Sequence, residues 1–284
     1  MAFEHPTEDE MGPIGAVEKQ NRSGRSDYGA SQHDVSVEAR SVYASYDSSY
    51  VLVDVSFSLS SGELIAIVGP NGAGKSTLFK LLTGIKRPDH GTLSVFGESV
   101  YASRRSNRIA YVPQETDIDW DFPITVRDVV LSGRFGRMRQ EGGLRKFMPP
   151  YFARHEHHER VEEAIEAVDM ASFASRPIGA LSGGQKKRVF LARAIAQDAD
   201  LLLLDEPLAG IDRLTETLFF DVLSRVRASG KTVLMISHDF PTVEKKADTV
   251  LLISRSVIDI GPAATTLTQD CLERAYHSVR RGGQ

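Results

Sequence analysis

Three short runs in this 284-residue chain bring together residue types that handle phosphate. The first, Gly69-Pro70-Asn71-Gly72-Ala73-Gly74-Lys75-Ser76-Thr77, fits the pattern G-x-x-x-x-G-K-[ST]. Glycines in such a loop let backbone N–H groups converge on an anion. An ammonium such as that of Lys75 reaches the β- and γ-phosphates of a nucleotide, and a hydroxyl such as that of Ser76 holds Mg²⁺. The second run, Leu201-Leu202-Leu203-Leu204-Asp205-Glu206, is an apolar stretch that ends in two carboxylates. Asp205 is suited to hold Mg²⁺ through its water shell, and Glu206 to polarise an attacking water. The third, Leu181-Ser182-Gly183-Gly184-Gln185, opens a helical pattern that continues to Ala194. A serine and two glycines before a helix make a plain N-cap, and the same arrangement offers a hydroxyl and amides to an anion.

The elements around these runs are the ones that would position them. An apolar strand over Glu63–Val68 precedes the glycine loop, and Leu78, Phe79, Leu81 and Leu82 follow it at helical spacing. Leu201–Leu204 and Thr232–Ile236 are apolar on both faces, as strands of a parallel sheet covered by helices are. Helices are expected where Val161, Ala164, Ile165 and Val168 recur, where Val189, Ala192, Ile195 and Ala196 recur, and over Leu214–Arg227. Val35–Val42, Val51–Leu59 and Thr92–Phe96 read as an antiparallel sheet. Val250–Ser254 and Val257–Ile260 read as the last strands, with Arg280–Gln284 frayed.

Composition sets the outer bounds. Hydrophobic residues make up 41% and charged residues 25%, ordinary for a globular chain and too apolar for wholesale disorder. Residues 1–33, rich in Gly, Ser, Glu and Asp, are expected to form a flexible tail. The net charge of −4 lies entirely in residues 1–34, which hold seven acids and three bases. The rest sums to zero and lacks the footprint of a general nucleic-acid binder. The acidic start and the lack of any long apolar run predict a soluble, cytosolic chain. Cys271 stands alone, which excludes an intrachain disulfide or a cysteine zinc cage and leaves it passive.

The order of the three runs, with LSGGQ between the phosphate loop and LLLLDE, resembles the ATP-binding cassette (ABC) ATPases over about residues 35–262. The resemblance implies a P-loop NTPase fold of the α/β class: a mixed, mainly parallel core sheet, an antiparallel β subdomain and an inserted helical subdomain at about 115–195. The cassette would span 34–262 and a C-terminal extension 263–284. By the same resemblance Tyr46 stacks on adenine, Gln114 of Tyr111-Val112-Pro113-Gln114 contacts Mg²⁺ and the attacking water, Asp212 lies at a dimer interface, and His238 contacts the γ-phosphate. The implied ATP site then comprises Tyr46, Gly69, Pro70, Asn71, Gly72, Ala73, Gly74, Lys75, Ser76 and Thr77. Ser182, Gly183, Gly184 and Gln185 are supplied in trans, since two cassettes of this family pack head to tail. Ser76, Gln114 and Asp205 are the implied Mg²⁺ residues, and Glu206, His238, Gln114 and Lys75 the catalytic ones. Lys186-Lys187 departs from relatives that carry glutamines there.

Only 68 positions separate Gln114 from Ser182, too few for the long coiled coil of DNA-repair relatives. The stretch from Glu115 to Gly136, with Asp119-Trp120-Asp121-Phe122-Pro123 and then Thr125-Val126-Arg127-Asp128-Val129-Val130-Leu131, is similar to cassettes of manganese, zinc and iron importers. That similarity implies membrane permease subunits, a second cassette, an indirect extracytoplasmic metal-binding protein and a place on the cytoplasmic face of the membrane. Trp120 and Phe122 are candidates for contact with the permease, with ordinary core aromatics as the other reading. Competing readings are a soluble cassette that assists assembly of a complex such as iron–sulfur clusters, and a nucleotide kinase, which leaves LSGGQ unexplained. His155, His157 and His158 invite a metal-sensor reading, but the segment reads better as the charged, solvated start of the helix at 161–170. The six cations of Arg134–Arg154 read as a solvated loop or a surface facing lipid headgroups.

Overall fold

The computed structural model describes residues 35–47, 49–114, 123–141 and 154–281, with side chains as far as residue 276. The tail, Trp120 and Phe122 lie outside the described residues, as do positions 142–153. Strands β1 (Val35–Tyr46), β2 (Ser49–Ser60), β4 (His90–Val95) and β5 (Glu98–Ser99) form an antiparallel sheet in the order β2-β1-β4-β5. The second sheet has the order β10-β9-β3-β8-β7-β6. It contains β3 (Leu64–Val68), β6 (Ile109–Val112), β7 (Leu201–Asp205), β8 (Thr232–Ile236), β9 (Thr249–Ser254) and β10 (Ser256–Gly261). Neighbours from β9 to β6 run parallel, and β10 closes one edge antiparallel to β9. The α/β expectation, with its separate antiparallel sheet, is borne out. The strand β6 was not foreseen: Ile-Ala-Tyr-Val is too short and too mixed to stand out without its partner β7.

Helices cover the parallel sheet on both faces, and the parity of each strand decides which face a residue meets. In β7, Leu201 and Leu203 join Ile65, Ile67, Leu234 and Ile236 against Leu78 and Phe79 of α1 (Lys75–Leu82) and against the antiparallel sheet. Leu202 and Leu204 point the other way. They meet α3 (Val126–Ser132), α5 (His155–Ala167), α6 (Gly183–Ala196) and α7 (Arg213–Ala228) through Val130, Ile165, Val189 and Phe219. Val68, Val250 and Leu252 are covered on that side by Val243, Ala263, Cys271 and Ala275. The short helices α2 (Val100–Arg105), α4 (Phe135–Gln140), α8 (Phe240–Lys246) and α9 (Ala263–Thr266) complete the layers before α10 (Gln269–Arg281). Arg280 and Arg281 are the last described residues of α10, which is anchored by its buried Cys271 and Ala275, and the rest of the end expected to fray lies outside the described residues.

Two surface expectations are corrected. Arg134 is 4% exposed rather than solvated, and His157 is 2% exposed. The Arg134 guanidinium donates to the Ala196 carbonyl (2.9 Å) and to His157 Nδ1 (3.1 Å), and His157 Nε2 lies 2.8 Å from Glu141 Oε1. A guanidinium cannot accept, so Nδ1 is the acceptor and Nε2 carries the proton. These contacts explain the burial: they join the residue before α4, the first turn of α5 and the last carbonyls of α6, whose orphaned oxygens need a donor. His155 stays exposed and His158 is half-buried, and no cluster of three metal-binding side chains occurs among the described residues. Replacing Arg134 by Ala leaves two buried acceptors without their donor and should cost roughly 2–4 kcal/mol. Urea unfolding of Arg134→Ala against the parent chain measures this.

Candidate functional site

Parallel register brings the chemistry to one edge. Ile67 of β3 pairs with Ile236 of β8, Ile236 with Asp205 of β7, and Leu204 with Val112 of β6. The loop after Val68, the carboxylate Glu206, the loop carrying His238 and the residue Gln114 therefore leave the sheet side by side at its carboxyl end, where parallel α/β sheets hold ligands.

The glycine loop is packed from below by the strands. A Cβ on Gly69 would lie 2.1 Å from the Ile253 carbonyl oxygen, so only glycine lets the loop pass β9. Gly74 has φ +95°, and a Cβ there would lie 2.3 Å from Leu52 Cδ2. Gly74 caps α1 with no side-chain acceptor on the first-turn N–H groups, which leaves them aimed at the space an anion would fill. Lys75 is 6% exposed, and its Nζ donates to the carbonyls of Gly69 and Pro70, each at 2.9 Å. Burial pulls its ammonium below the ordinary lysine range, and the charges of Glu206 and Asp205 oppose that pull. Ser76 follows, exposed at the start of α1.

Asp205 is buried at the end of β7. One oxygen, Oδ2, accepts from the Tyr111 hydroxyl at 3.3 Å, while Oδ1 is buried with no hydrogen-bond partner. Desolvation raises its carboxyl pKa and the charge of Glu206 adds to this, against the Tyr111 bond and Lys75. Tyr111 itself is pushed up to about 12 by burial and by Asp205. An orphaned carboxylate oxygen in this setting fits a hard cation with oxygen ligands, Mg²⁺ above all. Tyr111 was missed as a site residue. Its signal was parity: on β6 it pairs with Leu203, on the face of the sheet where Phe79 meets its ring at 6.2 Å.

Glu206 stands at φ +46°, a conformation that costs a non-glycine residue about 1–3 kcal/mol. The turn aims its carboxylate between two partners. Gln114 Nε2 donates to Oε2 at 2.8 Å, and His238 Nε2 meets Oε1 at 2.8 Å. An ionised carboxylate only accepts, so His238 carries its proton on Nε2. The structure thus joins Gln114, Glu206 and His238 from three different strand ends. Tyr46, 41% exposed at the end of β1, has the ammonium groups of Lys86 and Lys80 at 4.9 and 5.6 Å from its ring centre.

Ser182 and Gln185 form a capping box: Ser182 Oγ accepts from the Gln185 N–H and Gln185 Oε1 from the Ser182 N–H. The N–H groups of Gly183 and Gly184 are left outside the box. Among the described residues no hydrogen bond or ion pair joins Ser182–Gln185 to Lys75, Asp205 or Glu206. Asp212 caps α7, accepting from the N–H groups of Leu214 and Thr215 and from the Thr215 hydroxyl. A brace that sequence reading did not find ties α7 to the His238 loop: Thr242 Oγ1 lies 3.1 Å from Glu216 Oε1 and 2.7 Å from Asp239 Oδ2.

The family model described as ABC transporter matches residues 52–209. The chain is 42% identical over 244 residues to the chelated iron transport system membrane protein YfeB of Yersinia pestis, covering 84% of this chain and 78% of the relative. It is 42% identical over 240 residues to the manganese transport system ATP-binding protein MntB of Bacillus subtilis, covering 84% and 92%. Among solved structures, an inward-facing metal-chelate-type ABC transporter superposes with a TM-score of 0.72 at 27% identity, covering 86% of this chain and 90% of that one.

Because Asp205 is harder to ionise folded than unfolded, its charge destabilises the ligand-free protein; the penalty is absent below the unfolded pKa and complete above the raised one. Asp205→Asn should therefore raise the thermal unfolding midpoint of the ligand-free protein at neutral pH, and lower the further rise that Mg²⁺ and nucleotide produce. Paired melting curves with and without ligand check both signs.

Proposed function

This chain belongs to the ABC transporter family, as an ATP-binding cassette with ATPase chemistry, and from that membership we propose that it powers import of a transition-metal ion: manganese, zinc or iron. The names of the relatives and the Asp119–Pro123 stretch with the Thr125–Leu131 pattern support the cargo class. No helix among the described residues is long and apolar enough to cross a membrane, so the path for the ion would be supplied by permease subunits. The cassette then works on the cytoplasmic face of that membrane.

The observation that carries the catalytic reading is the joint hold of Gln114 and His238 on Glu206, whose charge acts on a buried Lys75. In the proposed cycle the Gly69–Thr77 loop wraps the phosphates and the Lys75 ammonium exchanges its two carbonyl partners for phosphate oxygens. Tyr46 carries the adenine. Ser76, Gln114 and Asp205 would hold Mg²⁺, which when bound offsets charge on the β- and γ-phosphates. Glu206 accepts a hydrogen bond from the attacking water and draws its proton, while Gln114 fixes that water and the His238 Nε2–H donates to the γ-phosphoryl group. Ser182 and the free amides of Gly183 and Gly184 close on ATP held by a second cassette, and Asp212 meets that cassette across the interface. Closure drives the permease between its two access states, and hydrolysis resets it.

A soluble assembly ATPase is the competing class. Extraction in mild detergent separates the two, since an importer subunit brings an integral membrane protein with it. Deleting the gene and measuring uptake of radioactive Mn²⁺, Zn²⁺ and Fe²⁺ side by side tests the cargo: loss of at least one is expected, and unchanged uptake of all three overturns metal import. Glu206→Gln should keep ATP binding, lower phosphate release by about 100-fold or more, and favour an ATP-bound dimer in size-exclusion chromatography.

A further inference from the structure

Lys187 has no part in the cycle described above, yet it is not a passive surface lysine. It sits one turn into α6, and its Nζ donates to the carbonyl of Ala209, midway along the segment that joins Glu206 to Asp212. Burial pulls the Lys187 ammonium below the ordinary lysine range, and the negative charge of Glu206 opposes that pull. The side chain therefore gives up hydration to reach a neutral carbonyl in the field of the Glu206 carboxylate.

The segment it holds is weakly braced from within. Its own backbone bonds are long, Ala209 N–H to Glu206 O at 3.3 Å and Ile211 N–H to Leu208 O at 3.4 Å, beyond the usual range for an amide donor. Its ends are fixed, at Glu206 by Gln114 and His238 and at Asp212 by the α7 cap. Its Asp212 end and the start of α7 lie against the first turn of α6, where a Cβ on Gly184 would be 4.0 Å from Ile211 Cγ2 and from Thr215 Oγ1. Lys187 is the polar tie at that contact.

We propose that Lys187 is a positioning residue for ATP hydrolysis, fixing the Glu206–Asp212 segment to the start of α6 so that the carboxylate and the Ser182–Gln185 turn keep one geometry. The proposal rests on the ATPase reading of Glu206. It places one residue between the element that acts on this chain's own nucleotide and the element that acts on the partner's. A donor that keeps its charge and reach preserves the tie, and an apolar side chain of similar length removes it.

Steady-state phosphate release by the 284-residue chain, with ATP and Mg²⁺ varied, tests this in wild type, Lys187→Met and Lys187→Arg. Lys187→Met should lose about tenfold in kcat with KM for ATP held within about twofold, the pattern of misplaced catalytic groups rather than lost binding. Lys187→Arg should retain at least about half of the wild-type kcat. Thermal midpoints identify any variant that is simply unfolded, and the Arg variant then decides. Equal kcat in wild type and Lys187→Met overturns the proposal, as does a folded Lys187→Arg as slow as Lys187→Met. Absence of phosphate release from wild type would instead overturn the ATPase reading itself.

Discussion

Everything at the site depends on the parallel register of four strands. Because β3, β8, β7 and β6 are hydrogen-bonded so that Ile67, Ile236, Asp205 and Val112 end the sheet together, four loops distant in sequence start from a common edge. No single contact between Gln114, Glu206 and His238 could create that arrangement: those bonds are made by side chains already delivered within reach. Leu201 through Leu204 fill both faces alike, so the register is marked by the polar end of the strand: a slip of one residue would move the Asp205 carboxylate off the edge it shares with Ile236.

Upon that frame sits a site whose electrostatics are unbalanced in the ligand-free state. Lys75 and Asp205 are both desolvated, the first satisfied by carbonyls and the second left with one bare oxygen. Glu206 adds a backbone conformation that the chain would not otherwise adopt. Each of these costs folding free energy, and a polyanion carrying a divalent cation would offset the two desolvated charges. The surrounding sheet tolerates the cost because its central strands are buried on both faces.

Much of this was legible in the residues. A glycine loop between an apolar strand and a helix, or two acids after four leucines, is a local pattern with a local cause, and the strand ends fell where the polarity changed. Ser182 announced a cap that the structure completes with Gln185. What stayed hidden was set by partners far along the chain. Four residues of β6 become a strand only beside β7, so Tyr111 could not be placed against Asp205. The charged run around His157 looked solvated because nothing local reveals that Arg134, 23 positions away, would carry it into the interior. The Thr242 brace and the reach of Lys187 to Ala209 likewise join residues that share no periodicity.

The buried Arg134 has a mechanical consequence. It grips the last carbonyl of α6, while Gln197, just beyond, donates to the Ile109 carbonyl on β6. At about 1.5 Å per residue, α6 is a rod roughly 21 Å long, clamped at its far end to the sheet and carrying at the other the Ser182–Gln185 turn, where Lys187 ties it to the Ala209 carbonyl. A rod held at both ends and packed along its buried face has little room to slide along its axis, so a push on one end is passed toward the other. Force applied to the serine turn by a second molecule would then be felt at Ile109, the first residue of the strand that leads to Gln114.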